Sequence, residues 1–187
     1  MVYDLPTTAE FGGKTFRIRS DFRAILDIIE AINDPDLDDW DRSEVALSIF
    51  YPDLDEIPDL QEALAFLMWF IDCGGNEQKK KGRQLIDWER DFERIIAPIN
   101  RVLGYEARAV PVDEETGQGL HWWTFISAYM EIGPDCLISQ VVNIRDKLAR
   151  GKKLEKHERE WYRRNKSLVD LPTHYSDAEK ELEKEWT

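Results

Sequence analysis

The sequence predicts a mainly α-helical fold, a single helical domain of about six to eight helices behind a short N-terminal β-hairpin. Three observations carry this. Large apolar residues recur at helical spacing along most of the chain. A Gly12-Gly13 pair sits between two short alternating stretches. Breakers such as Gly133-Pro134 and Leu171-Pro172 divide the helical patterns. The domain is assigned to residues 1–170, with the hairpin at 8–19, and residues 171–187 form a capped helix or tail.

In order, Leu5 to Arg19 reads as the hairpin. Gly12-Gly13 supplies the positive φ angles of a tight turn, and Phe16 and Ile18 alternate with Thr15, Arg17 and Arg19 to give one apolar face. Ser20 or Asp21 then caps a helix whose face is Phe22, Ile25, Leu26, Ile29 and Ile32. After an acidic loop, Asp41-x-x-Glu44 resembles a capping box for a short helix ending at Phe50. The next helix, Pro58 to Asp72, shows a stripe of Leu60, Ala63, Leu64, Leu67, Met68 and Ile71, with Phe66, Trp69 and Phe70 directed elsewhere. A helix apolar on nearly all sides is buried on nearly all sides. It is either the central core helix, the preferred reading, or the seat of a second chain. Asp87 to Gly104 aligns Trp88, Phe92, Ile95, Ile96, Ile99 and Leu103, with Pro98 expected to kink it. Tyr105 to Gly119 is an irregular acidic loop, the longest and the most mobile one by expectation.

Leu120 to Leu148 is the stretch around which the chain is organised. Trp122, Phe125, Ile126 and Tyr129 share one helical face, and Leu137, Val141, Ile144 and Leu148 share another. Between them, Gly133 suits a left-handed C-cap, Pro134 ends the first helix and Asp135 can cap the second, so an antiparallel helical hairpin is expected. A charged helix follows from Leu154 to Lys166, its apolar content mainly Leu154, Trp161 and Tyr162. Ser176-x-x-Glu179 then caps a last helix, Asp177 to Trp186.

A hydrophobic content of 42% is enough for a real core. The net charge of -13 disfavours nucleic acid and anionic membrane unless it is segregated. It is, in part. Residues 145–166 hold ten Lys/Arg against four Asp/Glu, whereas residues 1–144 hold 13 against 28. Self-association or internal pairing explains a basic segment on an acidic body better than nucleic-acid binding does. Two cysteines without a CxxC, no signal-peptide pattern at the N-terminus and no apolar run near the roughly 20 residues of a membrane span make a cytosolic protein the expectation.

The search for chemistry yields no catalytic, cofactor or metal assignment. His121, His157 and His174 lie on different elements, and no His, Cys or carboxylate array has metal-ligand spacing. His121, at a helix start beside Trp122 and Trp123, reads as a hydrogen-bonded structural residue. Cys73 and Cys136 read as small core residues, although Cys136 would lie in a first helical turn. Gly74-Gly75 and Gly117-x-Gly119 match no phosphate loop. The chain is therefore read as non-enzymatic. The candidate partner-binding residues are Leu64, Phe66, Leu67, Trp69 and Phe70, with Trp161 and Tyr162 on the basic helix.

Five stretches, in order, resemble one family. LPTTAEFGGKTFRIRSDFRAILDII, IDWERDFERI, LHWWTFISAYMEI, VVNIRDKL and EKHEREWYRRN are similar to the phage tail assembly chaperones of the bacteriophage gene product fifteen family, over about residues 4–170. Pro98 and the long acidic stretch before His121 depart from the family pattern. The resemblance implies no catalytic residues. It makes Asp21, Phe22, Arg23, Trp88, Asp91, His121, Trp122, Trp123, Phe125 and Arg145 fold-defining positions. It further implies a protein of the host cytoplasm, absent from the mature virion. Such a protein binds and solubilises the tape-measure protein, associates with itself and gives way to tail-tube protein. The competing readings are a virion structural or connector protein and a small regulator that binds nucleic acid through residues 150–166.

Overall fold

The computed structural model describes residues 4–75 and 85–171. The fold is mainly helical, with eight α-helices among these residues and a two-stranded antiparallel hairpin at the N-terminus. The described residues form two compact units that interleave in sequence. One comprises 4–75 with 108–127, and the other 85–107 with 128–171. The sequence reading did not draw this division. The patterns expected at Lys79 to Arg83 and in the Asp177 to Trp186 helix lie outside the described residues.

In the first unit, β1 (Thr8–Phe11) pairs with β2 (Lys14–Arg17) in the register Ala9 to Phe16 and Phe11 to Lys14. Gly12 and Gly13, at φ 57° and 78°, make the two-residue turn that only residues free of a Cβ enter readily. Ala9, Phe11, Phe16 and Ile18 are buried, so the hairpin is one apolar face laid on helices. α1 (Phe22–Asn33) begins at Asp21, whose Oδ1 accepts from Arg23 N–H. α2 (Asp39–Phe50) begins earlier than expected. Asp38 is the cap, accepting from the N–H groups of both Trp40 and Asp41, so Asp41 lies inside the first turn.

α3 (Leu60–Ile71) starts after Asp59, which caps it, leaving Pro58 outside. Its buried side is Ala63, Leu67 and Phe70, at i, i+4 and i+7. The expected stripe is thereby corrected: Phe70 is core, and Leu60 and Met68 are exposed. The inward direction is set by Tyr51, whose hydroxyl donates to the Ala63 carbonyl at 3.0 Å, and by the rings of Phe50 and Phe70. α3 is thus a helix with one buried side rather than one covered all round.

In the second unit, α4 (Trp88–Leu103) is capped by Asp87 and runs through Pro98 to Gly104, where the chain turns left-handed. α6 (Leu137–Ala149) packs on α4 and on the short α8 (Lys166–Val169), with α7 (Lys156–Arg164) leading into α8. α5 (Trp122–Met130) belongs to the first unit up to Ser127. The hairpin expected for 120–148 is divided between the units, with α5 up to Ser127 in the first and α6 in the second. Its joint differs too: Gly133 has no positive φ, and Cys136, not Asp135, occupies the N-cap of α6. The inward side of α6 is Ile138, Val141, Ile144 and Arg145, while Leu137 and Leu148 are exposed. A buried arginine at 145 turned the helix away from the purely apolar stripe.

Candidate functional site

The fold-defining motif residues separate into two clusters, one in each unit. In the first unit, the starts of α1 and α5 lie side by side. Phe22 N–H donates to the Leu120 carbonyl at 3.0 Å, and Trp122 N–H donates to the Ser20 carbonyl at 2.8 Å. Each helix then caps itself in the same way. Asp21 accepts from Arg23 N–H, and His121 Nδ1 accepts from Trp123 N–H at 3.1 Å. The rings of Phe22 and Phe125 stack in parallel with centroids 4.4 Å apart.

His121 Nε2 donates to the Pro6 carbonyl at 2.8 Å, so both ring nitrogens are engaged in the neutral form. Burial holds its pKa below the ordinary histidine value. Trp122 and Trp123 donate their indole N–H groups to the carbonyls of Ile71 and Phe70, which satisfies the open end of α3. A role for His121 as a base or ligand would need one of its nitrogens free.

Asp21 is less comfortable. Its Oδ2 is buried without a hydrogen-bond partner, and burial raises its pKa. Gly119 accounts for the tight fit: a Cβ there would stand 2.2 Å from Asp21 Oδ2. The acidic loop before His121, expected to be mobile, is tied down by Gln118. Its amide donates to the Ile18 carbonyl and its oxygen accepts from Ser20. Arg23 secures the same loop by donating to the Val110 carbonyl at 2.7 Å. These polar anchors leave no periodicity in sequence.

In the second unit, Arg145 is 4% exposed and uses all five N–H donors. Two meet Asp91, and the others meet the carbonyls of Val169, Leu85 and Leu168. One side chain thus joins α4, α6, α8 and residue 85. Trp88 packs on Tyr129, with ring centroids 5.3 Å apart.

The sequence-predicted partner residues do not form one surface. Leu67 and Phe70 are wholly buried, which removes them from any interface in this fold. Phe66 is half-buried between Phe11 and Phe50, and Trp69 lies against Trp123. Leu64, also half-buried, lies beside exposed Leu60 and Met68, at i-4 and i+4. On the basic helix, Tyr162 donates its hydroxyl to Asp170 at 2.7 Å, and Trp161 and Tyr162 are both half-buried. A ring so held is a poor stacking platform.

One concave apolar surface among the described residues was not anticipated. Tyr129, Met130, Ile132, Ile138, Ser139, Val142 and Asn143 line a hollow of about 390 Å³ in the second unit. Met130, at its edge, is 77% exposed. The sequence signal was faint: Met130 continues the α5 pattern by one residue beyond Tyr129. Cys136, near by in sequence, is buried, and its Sγ accepts from Arg101 Nη2 at 2.9 Å. Among the described residues no group of three or more His, Cys, Asp or Glu could hold a metal ion, and no helix is long and apolar enough to cross a membrane.

In the second unit, exposed Met130 at the end of α5 borders the apolar hollow. Residues 1–171 match the model of the family described as Bacteriophage Gp15 protein, and the chain belongs to that family. Neither the curated proteins nor the solved structures compared with it give a match.

Proposed function

We propose that this chain is a non-enzymatic phage tail assembly chaperone that binds and solubilises the tape-measure protein while the tail is built. It works in the host cytoplasm and is absent from the mature virion. The single observation that supports this most directly is the apolar hollow edged by Met130. A long helical client presents apolar seams that aggregate when bare. A hollow of about 390 Å³ takes one or two side chains of such a seam. Methionine adapts its shape to varied partners, as a chaperone meeting many similar segments requires. The exposed edge of α3 at Leu60, Leu64 and Met68 offers a second, shallower contact. A chain of net charge -13 keeps the complex soluble by repulsion. Modest affinity at each contact, multiplied by copies along the client, permits displacement by tail-tube protein.

The test is co-expression with a phage tape-measure protein, scored by the soluble fraction of the client. The intact chain should raise that fraction, and Val142→Lys with Met130→Lys should abolish the gain without unfolding the chaperone. Client equally insoluble with and without the chain would refute the proposal. Mass spectrometry of purified virions separates it from the connector reading, because a connector is recovered in fixed copy number. Salt-sensitive retardation of DNA or RNA at physiological ionic strength would instead favour the regulator.

A further inference from the structure

Trp40 is 72% exposed in the first turn of α2, the second most exposed large apolar side chain among the described residues. A lone exposed apolar residue is ordinary, but the surroundings of this one are not. Residues 34–44 carry Asp34, Asp36, Asp38, Asp39, Asp41 and Glu44 against a single Arg42, a local net charge of -5. Arg42 is occupied, donating to the Asp34 carbonyl and to Asp39. Trp40, Asp41, Glu44 and Ser48, all exposed, make the solvent side of α2. The complementary surface exists in the same sequence. Residues 150–166 carry eight Lys/Arg against three glutamates, a local net charge of +5. Lys156, Arg159 and Arg163 follow one side of α7 at i, i+3 and i+7, all exposed, and outnumber the exposed Glu160 at i+4 among them. The inward glutamate of that helix, Glu158, is taken by Lys147 and by its own capping box, so it does not offset the outer row.

We propose that the Trp40 side of α2 in one molecule docks on the Lys156–Arg159–Arg163 side of α7 in a second copy. Trp40 lies over a guanidinium and the flanking aspartates meet the remaining cations. Tryptophan and arginine are the residue types that dominate interface energies. The two surfaces differ, so the contact is heterologous and repeats from copy to copy, into a ring or an open filament. The proposal goes beyond the chaperone reading and does not require it, since the chain alone makes the contact.

Sedimentation velocity of the full chain tests it. At low salt the average mass should exceed the monomer. In 1 M salt, where screening reaches only about 3 Å, it should fall to the monomer. Trp40→Ala should raise the dissociation constant at least about tenfold, as removal of an interface anchor does. Asp39→Lys with Asp41→Lys in one chain, and Arg159→Glu with Arg163→Glu in another, should each prevent association, and mixing the two variants should restore it. All five positions are exposed, and circular dichroism of each variant should match the parent. A monomer at low salt up to high concentration overturns the proposal. So does an oligomer indifferent to salt and to these variants, or a mixture that stays monomeric. If Trp40→Ala leaves self-association intact but abolishes client solubilisation, the surface belongs to the client: the proposal fails and the chaperone reading stands.

Discussion

In the unit that contains the hairpin, the starts of α1 and α5 are joined to each other and to the end of α3 mainly by aromatic rings and peptide groups. Phe22 lies on Phe125, the α1 and α5 starts exchange peptide hydrogen bonds, and two indoles reach the end of α3. In the other unit the meeting of α4, α6 and α8 centres on one buried cation, Arg145, with Asp91 and three carbonyls around it. The difference lies in how each tolerates damage. An apolar cluster loses stability roughly in proportion to what is removed. A desolvated ion pair that loses one member strands the other, along with every group it satisfied.

The sharpest way to break the comparison is Arg145→Ala. It should destabilise by about 3–5 kcal/mol through the stranded Asp91 alone, with the three carbonyls adding to that. Urea unfolding measures it. Hydrogen exchange should show α6 and α8 losing protection first, and equal loss in the hairpin unit would defeat the distinction. Arg145→Met with Asp91→Leu should recover part of the loss, since two charges vanish while the carbonyls remain unpaired. Phe125→Ala should cost about 3 kcal/mol or somewhat more, by removal of a stacked and wholly buried ring. Here no partner is stranded, so Phe125→Leu should recover most of it.

Gly119→Ala should cost about 1–3 kcal/mol as overpacking against the Asp21 carboxylate. The cost should shrink in an Asp21→Ser background, which keeps a capping oxygen and removes the obstructing one. The smallest effect concerns pH. Burial lowers the pKa of His121, so between its folded value and the unfolded value near 6.5 the unfolded chain binds the extra proton. Stability should be full above about pH 6.5 and decline as pH falls through that window. The decline should be absent in His121→Gln. Asp21, raised by burial, has the opposite sign: its contribution is present below its unfolded pKa of about 3.8 and is lost as pH rises through the folded value. Asp21→Asn should flatten that second slope, as chemical denaturation across pH would show.

Much of the fold was legible because its signals are local. Gly12-Gly13 specified the turn, Ser20-Asp21 the start of α1, and the run Ile95, Ile96, Ile99 the inward side of α4. Where the reading failed, a polar partner elsewhere in the chain decided. The orientation of α3 follows from the Tyr51 hydroxyl on the Ala63 carbonyl, and that of α6 from Arg145 seeking Asp91. Neither contact has a spacing. The candidate surfaces were the least legible part. An exposed Met130 or Trp40 has the same letter as a buried one, and only the neighbours present or absent in space tell them apart.

The reciprocal pairing of residues 20–22 with 120–122 also bears on how the polypeptide emerges from the ribosome. The Phe125 ring that stacks on Phe22 is made only after a further hundred residues are synthesised, and closing so long a loop carries an entropic penalty that grows only as the logarithm of its length. Translation halted before Leu120 would leave the α1 start without its backbone partner. A nascent fragment of that kind presents bare rings to the cell, and it would be the first species for host chaperones and proteases to find.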